Sequence, residues 1–106
     1  MDAVRGYVKK LVRREEEVAN VIYPLFTNNH EAAAVIREEL EELEEAVDLT
    51  RKRYHAYWMH IRNNEVIEEN DLERIKEAAV CAAVEAIQVA AMAQKAVDSE
   101  KECKGE

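Results

Sequence analysis

At 106 residues and 12.2 kDa the chain is long enough for one domain, and small enough that self-association would add much to its stability. Its 23 acidic and 15 basic residues leave a net charge of −8, which excludes a nucleic-acid polymer as the main partner and favours a cation. Two glycines, one proline and a composition 48% apolar and 36% charged argue against a turn-rich sheet and predict an all-α fold.

A first helix is predicted over residues 2–22, where Val4, Val8, Leu11, Val18 and Ile22 recur at a/d-like spacing. Lys9, Lys10, Arg13, Arg14, Glu15, Glu16 and Glu17 surround them, and the basic cluster reads as a solvated face. Tyr23-Pro24 ends the helix, because the residue before proline is pushed out of the helical region. Leu25 to Asn29 forms the connection, and Asn28 followed by Glu31 has the form of a helix N-cap with its box glutamate.

A second helix follows to about residue 62, about 33 residues and roughly 50 Å at 1.5 Å per residue. Ile36, Leu40, Leu43, Val47, Thr50, Tyr54, Tyr57 and Ile61 hold a 4-3-4-3 spacing, the seam of a helix packed lengthwise against near-antiparallel neighbours. A second face carries Ala32, Val35, Glu39, Glu42, Ala46 and Leu49, so more than one neighbour is expected. Tyr54, Tyr57 and Trp58 read as packing or oligomer contacts, His30 as a loop histidine of no special role, and His55 and His60 as surface residues.

Residues 63–69 read as a connection or a short turn of helix, with Asn70 and Glu73 as a cap-like start to a third helix reaching about residue 97. Within it, residues 78–93 read AAVCAAVEAIQVAAMA, apolar throughout except for Glu85 and Gln88 at i, i+3. A desolvated carboxylate in such a helix needs a cation or a basic partner side chain. The reading is a single domain over residues 1–98 with a flexible charged tail over 99–106, its three helices completed as a bundle by a second copy. Cys81 and Cys103 have no CxxC or histidine companions, and MDAVRGYVKK has no apolar signal core. No zinc site, disulfide or membrane attachment is therefore expected, and a cytoplasmic setting is.

Two elements in this order carry a resemblance. Glu38-Glu39-Leu40-Glu41-Glu42 resembles the EExxE element of the MazG-like all-α nucleoside triphosphate pyrophosphohydrolases, and Glu85-Ala86-Ile87-Gln88 lies where that superfamily has ExxD. The surrounding wording, His30-Glu31-Ala32 and EAIQVAAMAQKA over residues 85–96, is similar to the small MazG-like proteins of phages and prophages. The resemblance covers about residues 28–98.

It implies that Glu39, Glu42 and Glu85 bind Mg²⁺ or Mn²⁺ with Gln88 at the position usually held by aspartate, and that Glu38 orients or deprotonates the attacking water. The implied reaction splits a nucleoside triphosphate at the α-phosphorus into the monophosphate and pyrophosphate, in a homodimer or homotetramer. Glutamine brings no charge to a metal, so the same position equally suits a helical structural or regulatory module that has lost catalysis. Lys95, Arg51 and Lys76 are merely the nearest basic residues in sequence, with no triphosphate motif around them. A di-iron carboxylate bundle is disfavoured because Glu-x-x-His is absent from helices two and three.

Overall fold

The computed structural model describes residues 2–67 and 69–104, so Glu68 in the expected connection and the last two residues of the expected tail lie outside the described residues. The protein is all-helical: α1 spans Asp2–Ile22, α2 spans Asn29–Arg62 and α3 spans Glu69–Lys104.

Local chemistry accounts for each boundary. Proline at 24 stops α1 after a last turn in which the Tyr23 amide donates to the Ala19 carbonyl (3.2 Å). Asn28, in extended conformation, caps α2: its Oδ1 accepts from the Glu31 amide at 2.9 Å. At the other end Asn64 takes a left-handed conformation (φ 54°), a geometry that asparagine tolerates better than most side chains. The amides of Asn64 and Glu65 then reach back to the carbonyls of Ile61 and His60, which closes a Schellman turn.

The helices form a layer with α3 in the middle; α2 and α1 both pack on it, and α1 makes no close backbone approach to α2. Contacts set the directions. His60 meets Asp71 and Glu42 meets Glu85, so α2 and α3 are antiparallel; Gln88 meets Glu15 and Asp98 meets Glu16, which seats α1 on the C-terminal half of α3. The small core sits there, where Phe26, Ala32, Ala91 and Met92 are buried with Val12, Ala19, Val35, Ile36 and Ala96 against them. Lys95 is buried beside this core with its ammonium 4.7 Å from the centre of the Phe26 ring, a cation–π contact.

Three features depart from the sequence reading. The third helix does not stop near residue 97 but continues through the segment expected as a flexible tail to Lys104, and Ser99 is buried. Its hydroxyl donates to the Lys95 carbonyl (2.8 Å) and accepts from the Phe26 amide (2.9 Å), tying α3 to the first connection. His60 is half-buried, with Nδ1 2.7 Å from the buried Asp71 carboxylate. Finally, the 4-3-4-3 seam divides: Ile36, Leu43, Thr50 and Tyr57 are half-buried, whereas Leu40, Val47, Tyr54 and Ile61 are exposed.

The molecule measures 66 × 30 × 21 Å with a radius of gyration of 18.2 Å. A compact domain of this length would have about 13 Å. Beyond the reach of α1, a bare hairpin of α2 and α3 projects, and among the described residues no helix is long and apolar enough to cross a membrane.

Glu16 lies buried on α1 against Asp98. Burial, then the hydrogen bond and charge of Asp98, push its carboxyl from about 4.5 up to about 7, while Asp98, accepting from Glu16 and from Gln94, is held below its ordinary value. A raised carboxyl contributes stability that is complete below its unfolded value and lost as pH rises through the folded one. The Glu16 contribution should therefore fade between about pH 4.5 and 7, by on the order of 3 kcal/mol, and urea unfolding of Glu16→Gln should show a flatter dependence over that window. Ser99→Ala should destabilise the chain by about 1–3 kcal/mol in the same assay, because the buried Phe26 amide loses its acceptor.

A carboxylate cluster between the long helices

Glu39 and Glu42 stand one turn apart on α2 and so project from neighbouring positions on one side of the helix. Glu85 projects from α3, and the antiparallel packing sets it against them: one carboxylate oxygen from each of the three lies within 4.8 Å of the others. Glu39 and Glu85 are half-buried and Glu42 is exposed, which puts the cluster at the mouth of the α2–α3 groove.

Three carboxylates at this spacing repel one another. The Glu39 carboxyl is held above its ordinary value by burial first, then by the charges of Glu42, Glu85 and Glu38. Glu85 is raised as well, by burial and by its hydrogen bond with Glu42. Among the described residues no lysine, arginine or histidine forms an ion pair with any of the three, so the cluster has no internal counter-charge. The donor set fits a hard divalent cation. Oxygen ligands hold Mg²⁺ at about 2.1 Å and Ca²⁺ at about 2.4 Å, so one ion can span carboxylates about 4–5 Å apart.

The remaining residues singled out in the sequence have other surroundings. Glu38 is exposed beside Glu39, close enough for its charge to act on it. Gln88, half-buried, donates from Nε2 to Glu15 Oε2 on α1 at 2.9 Å, so its amide group is engaged across the α1–α3 contact. Of the nearby basic residues, Lys76 is exposed and pairs with Glu73 at 3.0 Å, Lys95 lies over Phe26, and Arg51 borders a groove with Val47 and Tyr54. The sequence reading treated Glu15 and Glu16 as surface charge around α1. Both meet α3, and the available signal was spacing: Glu16 is four residues after Val12 and three before Ala19, the two α1 side chains packed on the core.

Set against known proteins, the chain matches no family model, no curated protein and no solved structure.

If repulsion dominates this cluster without metal, neutralising one member should stabilise the protein. Glu85→Gln is expected to raise the melting temperature by a few degrees in chelator. Adding millimolar Mg²⁺ or Mn²⁺ should then stabilise the wild type more than the variant, as read by differential scanning calorimetry.

Proposed function

We propose that the protein is a Mg²⁺- or Mn²⁺-dependent nucleoside triphosphate pyrophosphohydrolase of the MazG-like all-α kind, cytoplasmic and self-associated as a homodimer or homotetramer. The observation that supports this reading is the convergence of Glu39, Glu42 and Glu85 from two helices, with no ion pair to a basic side chain among the described residues. These are the carboxylates of the EExxE element and of the alanine-rich run.

In this reading Glu39, Glu42 and Glu85 hold the cation, which when bound neutralises charge on the triphosphate and polarises its phosphoryl oxygens. Glu38 accepts a proton from, or orients, the water that attacks the α-phosphorus, acting from the exposed flank of the same helix turn. The half-buried setting of Glu39 and Glu85 raises their proton affinity, so protons would compete with a cation held there and its binding would strengthen as pH rises.

Gln88 favours a second reading. Its amide is engaged with Glu15, a role in packing α1 on α3, as expected of a helical structural or regulatory module that has kept the scaffold without catalysis. Two experiments separate the readings. Incubation with canonical and modified nucleoside triphosphates and Mg²⁺ should release pyrophosphate and the monophosphate, with Glu42→Gln or Glu85→Gln lowering turnover at least ~100-fold. No release from any triphosphate removes the enzyme. Gln88→Asp then decides what is left: gained metal affinity identifies a decayed site, and destabilisation alone identifies the packing role.

A further inference from the structure

The long hairpin carries an apolar face that its own fold does not cover. On α2, Leu40, Val47, Tyr54 and Ile61 recur every seven residues and are 37–56% exposed, a stripe roughly 32 Å long at 1.5 Å per residue. On α3, Leu72, Ala79, Ala86 and Ala93 recur with the same spacing and are also exposed. Val47 and Tyr54 border one groove with Ala79 and Ala82, which places the two stripes side by side on a single face. In the antiparallel register the large α2 side chains form a ridge, and the alanines of α3 form a trough beside it.

The exposed area indicates how much of this surface a partner must cover. The chain exposes 8346 Å². A compact monomer of its mass would expose about 6,100 Å², roughly 2,200 Å² less. Obligate homodimers bury about 2,000–5,000 Å² in total, or about 1,000–2,500 Å² on each copy, so a second copy on this face would account for about half of the excess or more. Alanine allows close helix approach, and a two-fold axis running along the hairpin sets the ridge of each copy over the trough of the other.

We propose that this face of α2 and α3 is the self-association surface, and that its occupant is the same face of a second copy, giving a four-helix bundle. The inference deepens the self-association named above and stands apart from the nucleotide chemistry. Glu39, Glu42 and Glu85 do not line the groove that Val47 and Tyr54 border, so substitutions at those two positions do not touch the cluster.

Sedimentation equilibrium of the full chain tests it. The wild type should be a dimer, or a tetramer built from it, at micromolar concentration, and Val47→Glu and Ala86→Glu should each raise the dissociation constant at least ~100-fold. Val21→Glu, at an exposed apolar position on α1, should leave association unchanged. Circular dichroism checks that helix content survives; if Val47→Glu loses it, Tyr54→Ser and Ala86→Ser are read in its place. A wild-type monomer at all concentrations overturns both this inference and self-association. An oligomer indifferent to the stripe substitutions overturns this inference alone. A chain that dimerises through the stripe yet hydrolyses no nucleotide leaves it standing.

Discussion

A helix packed against a single neighbour can bury one stripe of its surface, and the two longest helices of this protein have for most of their length only each other. The antiparallel contact of α2 with α3 is thus the constraint on which the rest depends. It sets Glu85 opposite Glu39 and Glu42, His60 opposite Asp71, and Phe26 opposite Ser99. It also leaves every other member of the α2 seam facing outward.

Charge is arranged unusually along that contact and its neighbour. The chain carries an excess of carboxylates and sets several of them against one another instead of spreading them over the surface: Glu39, Glu42 and Glu85 at one place, Glu16 and Asp98 at another. Burial makes Glu16, Glu39 and Glu85 hold protons more tightly than isolated carboxyls, and the two groups resolve the conflict differently. Glu16 and Asp98 share a proton, which locks α1 to α3 most firmly in mild acid. The triple cluster has a geometry that a divalent cation can satisfy, and cation binding would turn a source of repulsion into a cross-link between the helices.

Much of the fold was legible because it rests on local rules. Pro24, the Asn28 cap and the long 4-3-4-3 repeat mark helices whose ends the structure reproduces within a residue or two for α1 and α2. The end of α3 was not legible. Ser99 and the charged residues after it look like a fraying tail, yet the Ser99 hydroxyl receives a buried amide from a residue 73 positions away, a contact no local pattern announces. The stop of α2 was legible too, in the Asn63-Asn64 pair, because asparagine tolerates the left-handed position that ends a helix.

The sequence by itself determined that the protein is helical, that three helices form, and that Glu39 and Glu42 share one side of theirs while Glu85 and Gln88 share one side of another. Helical periodicity makes those relations local. Tertiary structure decided which of the four meet. Packing α3 between two helices turned Glu85 toward α2 and engaged Gln88 with Glu15 on α1, because residues three apart on a helix are separated by about 60° around its axis and can face different neighbours. The same geometry decided that half of a regular apolar seam is buried and half exposed, since one neighbouring helix covers too narrow an arc to bury both.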